Sequence, residues 1–398
     1  MKLIVLTSRF PFPLEKGDKL RIFNQIKVLS KNHEIHLLAT SFYKVNQSHL
    51  DQLKPYCKTI NVFEIGPLQQ LLNLIRTLFT RLPFQVGLFY TKGIHRKINA
   101  IIQQVQPNAI YCHLIRMSEY VKDNPMPCPK TIDYMDVFSK GMDRRAQRSK
   151  GIMKQLILWE YRRLSYYENH VFDKFNHQTI ISAQDRDFIP HPSKANIQII
   201  ENGVDWQEFY PMNTPKQYQL LFTGNMGYPP NIEAAIYCAT KILPEIHQQH
   251  PNLKLLIAGI SPSQAVRDLA NQHVIVIDHF EHIRDAFAMS TINLAPMLTS
   301  IGLQNKILQA MAMKLPTICT TLANNAVKAI PGHQILVADD PKAYAAHIHQ
   351  LLSNPSQYDS IAQQGYEFVK ERFDWEKQNQ LLEPLLFSNG TNQIINPS

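Results

Sequence analysis

Three segments of the sequence place glycines and basic or amide side chains just before a helix-like pattern. The first runs from Ser8 to Arg21 and holds Gly17, Asp18 and Lys19. Gly17 would let the backbone approach a ligand closely, and Asp18 is a plausible N-cap for the helix that follows. A helix N-terminus with free N–H groups suits an anion. A solvated surface turn explains these residues equally well, because no complete GxGxxG fingerprint is present.

The second segment runs from Leu220 to Ala234 and follows a strand-like apolar run. Gly224 makes room beside the chain, and the Asn225 side chain offers both a hydrogen-bond donor and an acceptor. Pro230 starts a helix-like pattern. An ordinary strand-to-helix turn is the alternative interpretation.

The third segment holds Gly302 immediately before a helix whose first turn contains Asn305 and Lys306. The free N–H groups of that turn could hold a diphosphate, and the Lys306 ammonium could reach the same phosphates. Gln309 would lie one turn further along, on the side near Lys306. A helix that only packs in the core would not explain these basic and amide residues.

Apolar runs of strand length alternate with helix-period segments along the whole chain. Twelve such runs fall into two sets: Leu3–Thr7, Ile35–Thr40, Thr59–Ile65, Ala109–His113, Thr131–Tyr134 and Gln178–Ser182, then Leu220–Thr223, Leu253–Gly259, Val274–Ile277, Thr291–Ala295, Thr317–Thr320 and Gln334–Val337. The alternation predicts an α/β protein of two Rossmann-like doubly wound domains. Ligands bind beyond the carboxyl ends of parallel strands, so we expect the site in a cleft across which the two domains face each other.

The join between the two sets lies near residues 204–218, where Pro211 and Pro215 give a linker composition. We therefore expect an N-terminal domain over residues 1–207 and a C-terminal domain over residues 208–372. A C-terminal helix over 373–388 is expected to join the first domain.

Composition restricts the class of protein but not its partner. The chain has 398 residues, 44% hydrophobic, with a net charge of +9, which favours an anionic partner of unspecified kind. Five scattered cysteines lack metal-ligand spacing, so we expect no bound metal and a reducing cytoplasm. The first apolar run breaks at Ser8 and Arg9, too early for a signal peptide. No uncharged apolar run reaches the length of a membrane span.

Taken in order, the three segments resemble the GT-B glycosyltransferases of family 4. The resemblance rests on His33-Glu34-Ile35, Glu201-Asn202-Gly203-Val204-Asp205 with Phe209-Tyr210-Pro211, Phe222-Thr223-Gly224, Leu256-Ile257-Ala258-Gly259, and Leu308-Gln309-Ala310-Met311-Ala312 with Pro316-Thr317-Ile318. A narrower resemblance, to bacterial sugar transferases of exopolysaccharide loci, rests on Gly224-Asn225-Met226, Pro229-Pro230-Asn231 and Gly302-Leu303-Gln304-Asn305-Lys306.

The resemblance implies transfer of a sugar from a nucleotide-diphosphate donor to a glycan or lipid-linked acceptor. It implies retention of anomeric configuration, and neither a metal nor another cofactor. The catalytic candidates are His113 and Lys306. The donor-binding candidates are Gly17, Gly224, Asn225, Ile301, Gly302, Leu303, Asn305 and Gln309. The acceptor-side candidates are Asp18, Lys19, Arg21 and Arg116.

The sequence departs from the family pattern at two places. The paired glutamates of the family correspond here to Ile301 and Gln309, and only Gln309 can hydrogen-bond a ribose hydroxyl. The Arg and Lys common after the first C-domain strand are absent, which leaves Asn225 and Asn231, with Lys306 able to compensate. A GT-B protein that binds or scaffolds without turnover therefore stays open as an alternative.

The segment Leu68 to Phe89 carries apolar residues in helical spacing beside Arg76 and Arg81. It fits either a helix packed in the core or a basic amphipathic helix on an anionic membrane. The second interpretation implies a peripheral position on the inner membrane face and a lipid-linked acceptor. We expect no nucleic-acid partner, because the basic residues look dispersed and lack an aromatic-basic motif. An NAD-dependent oxidoreductase is disfavoured, because no acidic residue follows a complete glycine fingerprint.

Overall fold

The computed structural model describes residues 1–299 and 302–389, which form two compact units. The N-terminal unit comprises residues 1–201 together with residues 378–389. The C-terminal unit comprises Asn202–Lys377. The division therefore lies at 201/202, against the expected 207/208, because Val204 and Phe209 are buried in the core of the C-terminal unit.

The N-terminal unit is a seven-stranded, fully parallel sheet. Its strands are β1 (Lys2–Thr7), β2 (Glu34–Ser41), β3 (Thr59–Glu64), β4 (Ala109–His113), β5 (Lys130–Asp133), β6 (His177–Ile180) and β7 (Gln198–Ile199), in the order β3-β2-β1-β4-β5-β6-β7. Its helices are α1 (Gly17–Leu29), α2 (Gln47–Leu53), α3 (Pro67–Leu78), α4 (Phe84–Gly87), α5 (Lys92–Val105), α6 (Phe138–Arg148), α7 (Gly151–Phe172) and α8 (Ala183–Phe188), with 3₁₀ turns at Ile115–Tyr120 and Lys194–Asn196.

Both faces of this sheet are buried, as parallel sheets require. Successive side chains of a strand point to opposite faces, so Leu3 and Val5 lie in one core cluster and Ile4 and Leu6 in the other. The near-continuous apolar runs of the sequence follow from this double burial.

The C-terminal unit repeats the arrangement with six parallel strands. They are β8 (Tyr218–Thr223), β9 (Leu255–Ala258), β10 (Val274–Ile277), β11 (Ser290–Ala295), β12 (Thr317–Cys319) and β13 (Leu336–Val337), in the order β10-β9-β8-β11-β12-β13. Its helices are α9 (Pro229–Tyr237), α10 (Leu243–His247), α11 (Gln264–Arg267), α12 (Ile283–Ala288), α13 (Asn305–Ala312), α14 (Thr321–Val327), α15 (Pro341–Ser353) and α16 (Pro355–Arg372), with a π-helical turn at Cys238–Ile242 between α9 and α10.

The last helix, α17 (Trp375–Phe387), returns the chain to the N-terminal unit. Its side chains Leu382, Leu385 and Leu386 are buried in the same core cluster as Leu3 and Val5. No helix among those described combines the length and apolar character needed to cross a membrane.

All twelve expected strands are present, and two parallel-sheet α/β units confirm the expected fold class. The structure adds β7, whose two residues are too short for a pattern in the sequence. The helix-like pattern that starts at Pro230 is interrupted by the π-helical turn at Cys238–Ile242.

Candidate functional site

The strand order reverses beside the first strand of each unit, between β1 and β4 and between β8 and β11. Ligands of open α/β sheets bind outside the carboxyl ends of the strands at such reversal points. The loops that follow these four strands therefore carry the candidate residues, and each unit is described separately.

Lys306 is the centre of the candidate site in the C-terminal unit. It lies in the first turn of α13 and is buried. Its Nζ donates to Asn231 Oδ1 at 2.8 Å, lies 3.6 Å from Met297 Sδ, and lies 4.2 Å from the centroid of the Phe222 ring. An amide oxygen, a thioether and an aromatic face polarise toward a cation but do not neutralise it.

The charge of Lys306 has no carboxylate partner among the described residues. Burial lowers the pKa of Lys306 from its ordinary value of 10.5 to about 7, opposed only by the nearby Cys238. Burial also raises the pKa of Cys238, so its thiol is neutral and offers no counter-charge. The site therefore lacks one negative charge, which an anionic ligand would supply.

Two glycines let the loops around Lys306 come close together. A Cβ at Gly224 would lie 2.7 Å from Asn231 Nδ2 and 3.2 Å from Lys306 Nζ. A Cβ at Gly259 would lie 1.8 Å from the Gly224 carbonyl oxygen, closer than any real contact. Asn231 Nδ2 in turn donates to the Asn225 carbonyl at 2.9 Å. The Asn225 carbonyl thus fixes the Asn231 side chain through Nδ2, and Asn231 Oδ1 orients the Lys306 ammonium.

The remaining donor-side candidates lie around the same helix start. The Asn225 side-chain oxygen accepts from Gly227 N at 2.9 Å, which shapes the turn after β8. Asn305 Oδ1 accepts from Asn202 Nδ2 at 3.1 Å, so this asparagine also ties the helix start to the beginning of the unit.

Three other candidates differ in what surrounds them. Leu303 packs against the core of the C-terminal unit, and Gln309 is half-buried in the second turn of α13. A Cβ at Gly302 would meet open space, so the described structure gives no steric reason for a glycine there. Ile301 lies outside the described residues.

Asp133, at the end of β5, organises the candidate site of the N-terminal unit. Its carboxylate accepts from Arg21 Nε at 2.7 Å and from Thr179 Oγ1 at 3.0 Å. Burial disfavours the charge, but Arg21 and His113 outweigh it and hold the pKa of Asp133 well below its ordinary value. Arg21 is itself fully buried and also donates to the Ile200 carbonyl at 2.8 Å. Its expected acceptor-side position is therefore wrong: it is a structural ion pair.

The side chain of His113, like that of Arg21, contacts other groups of the protein. Its Nδ1 lies 3.3 Å from Asp133 Oδ2, and its Nε2 lies 3.1 Å from the Asp18 carbonyl oxygen. Both ring nitrogens thus face acceptors of the protein, and the ring is buried. In this arrangement His113 links the end of β4 to the start of α1, which positions the loop before that helix.

The loop after β1 differs from expectation at Asp18. Helix α1 begins at Gly17, and Asp18 lies in its first turn and not at the N-cap. Its carboxylate pairs with Arg9 Nη1 at 2.8 Å. Despite burial, Arg9, His113 and Arg116 lower the pKa of Asp18. Gly17 is exposed, and a Cβ there would lie 3.3 Å from Met135 Cε.

Lys19 and Arg116 are the two acceptor-side candidates whose cations lack a carboxylate within ion-pair distance among the described residues. Lys19 Nζ is 3.4 Å from the Phe12 carbonyl oxygen. The Arg116 guanidinium lies between two aromatic rings, 4.5 Å from the centroid of Phe138, and donates to Gln85 Oε1 at 2.8 Å. Burial, and the proximity of Arg9, lower the pKa of Arg116 to about 10.

Sequence reasoning missed four residues that shape these sites: Asp133, Asn231, Met297 and Phe222. Asp133 had a usable signal, since its carboxylate stands at the carboxyl end of a strand. Asn231 stands where the family carries a basic residue, but the sequence does not indicate its hydrogen bond with Lys306. Met297 and Phe222 look like ordinary core residues in the sequence. Among the described residues, no group of three or more His, Cys, Asp and Glu side chains is arranged to hold a metal ion.

Residues 217–354 match the family model described as "Glycosyl transferases group 1". A curated protein of Klebsiella pneumoniae, described as an uncharacterized 44.6 kDa protein in cps region, is 22% identical over 94% of this chain and 97% of its own length.

Two solved structures are similar along almost the whole chain. Sucrose-phosphate synthase from Thermosynechococcus elongatus has a TM-score of 0.69 at 15% identity, covering 97% of this chain and 98% of that one. Anabaena HepE in complex with UDP-glucose has a TM-score of 0.68 at 13% identity, covering 96% and 99%. The structural matches confirm the GT-B fold. The family match confirms the expected resemblance and the enzyme class, a glycosyltransferase.

Proposed function

We propose that this glycosyltransferase moves a sugar from a nucleoside diphosphate donor to a glycan or lipid-linked acceptor in polysaccharide or glycoconjugate synthesis. The C-terminal unit would bind the donor and the N-terminal unit the acceptor. A UDP-sugar is the first donor to test, because the similar Anabaena protein is described in complex with UDP-glucose. The cps-region description of the Klebsiella relative supports a role in exopolysaccharide synthesis.

The observation that carries the proposal is the buried, uncompensated lysine beside Asn231. A buried ammonium without a counter-charge costs the folded protein free energy, which a bound anion would offset. The start of α13 adds helix N–H groups and the positive end of the helix dipole at the same place. A diphosphate is the anion that a glycosyltransferase releases.

Lys306 also has a chemical role in this proposal. As the anomeric C–O bond breaks, negative charge accumulates on the diphosphate oxygen that leaves. A protonated Lys306, held by Asn231 before the reaction begins, would stabilise that charge without rearrangement. We propose that this cation lets transfer proceed without a metal ion. The family resemblance supports retention of the anomeric configuration.

On the acceptor side we propose roles for residues that the structure leaves accessible or half-buried. Arg116 and Lys19 would bind polar or anionic groups of the acceptor. His113, which is buried, would act by positioning the start of α1 at Asp18. We further propose a cytoplasmic enzyme that reaches a lipid-linked acceptor by peripheral contact with the inner membrane face.

Titration with UDP-glucose, combined with a hydrolysis and transfer assay, tests the proposal. We expect the wild-type protein to bind UDP-glucose and to release UDP, and Lys306→Met to weaken binding by at least about tenfold. Lys342→Met removes an exposed lysine of the same unit and serves as the matched control. The configuration of the product, read from its anomeric coupling constant, tests retention.

Two outcomes would change the assignment. Binding that is sensitive to Lys306→Met but never accompanied by turnover would favour the scaffold alternative. Equal binding by wild type and Lys306→Met would remove the diphosphate from this site and refute the proposal.

A further inference from the structure

Helix α3 of the N-terminal unit has its apolar face on the outside. Leu68, Leu71 and Ile75 recur at helical spacing and are exposed, Leu68 by 72%. Two polar residues of the helix are buried instead: Asn73 Nδ2 donates to the Leu88 carbonyl at 2.9 Å, and Thr77 is also buried. This polarity is the reverse of that of a helix packed in a core. Of the two interpretations of this segment, the core-packed helix is therefore wrong.

The start of α7 continues the same apolar surface. Ile152 is exposed by 82%, and Trp159 lies edge-on to Phe84 with ring centroids 5.3 Å apart. Arg163 of α7 donates to the carbonyls of Thr77 and Thr80 at 2.7 Å, which ties α7 to the end of α3. We call this surface the apolar patch; it consists of Leu68, Leu71, Leu72, Leu74, Ile75, Leu78, Phe79, Ile152, Met153, Leu156 and Trp159.

The apolar patch concentrates exposed apolar side chains to an unusual degree. Its 11 residues are more than half of the 19 large hydrophobic side chains exposed anywhere in the described chain. Scattered exposed hydrophobic residues need no explanation, whereas a contiguous patch marks an interaction surface.

The same part of the chain carries most of the net charge. Residues 66–82 and 144–163 contain nine Lys and Arg and a single acidic residue, Glu160. Glu160 accepts hydrogen bonds from the backbone N–H groups of Phe84 and Gln85. These 37 residues therefore hold a net charge of +8 out of the +9 of the whole chain. Nine of the 41 Lys and Arg of the chain, but only one of its 32 Asp and Glu, lie in these two segments.

We infer that the apolar patch with its basic residues docks on an anionic lipid surface, with α3 and the start of α7 lying in the headgroup region. This inference deepens the proposed peripheral contact and rests on that part of the proposed function. Apolar side chains enter the boundary of the acyl chains while Lys and Arg bind anionic headgroups. No described helix could span the bilayer, so the protein would lie on it.

Other occupants of the patch fit the charge and the chemistry less well. A second copy of the chain would bring two apolar patches, each accompanied by segments of net charge +8, against each other, which disfavours a symmetric dimer. Single-stranded nucleic acid binds through stacked aromatic rings, whereas the apolar patch contains nine aliphatic side chains and only two aromatic ones, Phe79 and Trp159.

Vesicle flotation of the full chain tests the inference. Vesicles of phosphatidylcholine alone are compared with vesicles that also contain phosphatidylglycerol. We expect the wild type to bind the anionic vesicles at least about tenfold more tightly, and less so at high salt. Ile75→Asp and Ile152→Asp should each lower this binding at least about tenfold. Ile330→Asp, at an exposed position of the C-terminal unit, is the matched control and should bind like the wild type.

A second pair of variants guards against misfolding. Lys150→Glu and Lys154→Glu change exposed side chains only, and both should weaken vesicle binding while the unfolding temperature stays unchanged. UDP-glucose binding in the absence of vesicles should be the same in all these variants, so failure of the membrane inference is separable from failure of the donor site.

Three results would overturn the inference. The wild type could bind neutral and anionic vesicles equally, or not at all. Light scattering could show a dimer that Ile75→Asp dissociates, which would assign the patch to self-association. Binding of single-stranded DNA that Ile75→Asp abolishes, without vesicle binding, would assign it to nucleic acid.

Discussion

Raising the pH from 6 to 8.5 should weaken the binding of UDP-glucose about 30-fold. At the higher pH Lys306 has lost its proton and must take one up from solvent when the diphosphate binds. The nucleotide-free protein holds Lys306 at a pKa of about 7. The diphosphate of UDP-glucose is esterified on both sides, so it binds no proton in this range. The pH dependence therefore reports the lysine.

The magnitude follows from the charged fraction of Lys306. With a pKa of about 7 the side chain is about nine-tenths charged at pH 6 and about three-hundredths charged at pH 8.5. A bound diphosphate would raise the pKa of Lys306 back toward its ordinary value of 10.5, so the complex stays protonated over the whole range. The ratio of the two fractions is the expected loss of affinity.

Isothermal titration in two buffers of different ionisation enthalpy measures both the affinity and the protons taken up. We expect uptake of nearly one proton at pH 8.5 and of almost none at pH 6. Lys306→Arg keeps a cation that does not titrate in this range, so its affinity should not change with pH. A wild-type affinity that stays constant from pH 6 to 8.5, or proton uptake that persists in Lys306→Arg, would refute the reasoning.

The burial of Lys306 also predicts that the folded protein becomes more stable when the charge of this side chain is removed. The folded pKa of Lys306, about 7, lies below the ordinary value of 10.5, so the unfolded chain binds more protons between these values. Wild-type stability should therefore rise with pH across that window. At pH 6 we expect nucleotide-free Lys306→Met to be more stable by ~2–4 kcal/mol, and the difference to shrink toward pH 10. Chemical denaturation at both pH values measures this.

Three further predictions concern the neighbours of these charges. The double variant Asn231→Lys, Lys306→Met moves the cation from position 306 to position 231. Calorimetry should show that this variant recovers at least part of the UDP-glucose affinity lost in Lys306→Met. Gly224→Ala should weaken the same binding at least about tenfold, because its Cβ displaces Asn231 and Lys306, whereas Gly93→Ala meets open space and should not. Asp133→Asn leaves a buried arginine without its carboxylate and should cost ~3–5 kcal/mol in urea unfolding at pH 7. In the wild type this contribution is present above the ordinary Asp pKa of 3.8 and is lost as the pH falls below it.

The sheets could be predicted from the sequence because every strand of a doubly covered sheet is an apolar run. Two placements in the C-terminal unit were predictable from the sequence: Gly224 follows a strand directly, and Lys306 lies in the first turn of a helix. The depth of burial of Lys306 was not predictable, because it depends on Phe222 and Met297, which arrive from other loops.

The errors share one physical cause: they depend on contacts between residues distant in sequence. Arg21 looks like a solvent-facing helical cation, but its partner Asp133 lies 112 residues away. The apolar period of α3 predicted an amphipathic helix correctly but could not say which face meets the protein. That choice follows from Asn73, whose hydrogen bond to Leu88 holds the polar face inward.

The return of α17 to the N-terminal unit limits how this protein can be cut and recombined. A fragment ending at residue 201 would expose the side chains that Leu382, Leu385 and Leu386 now cover. Chimaeras that exchange the N-terminal unit between related proteins must therefore transplant two separate pieces of the gene, the first half and the last helix. In a circular permutant that joins the two ends of the chain, the N-terminal unit would be one continuous stretch of sequence.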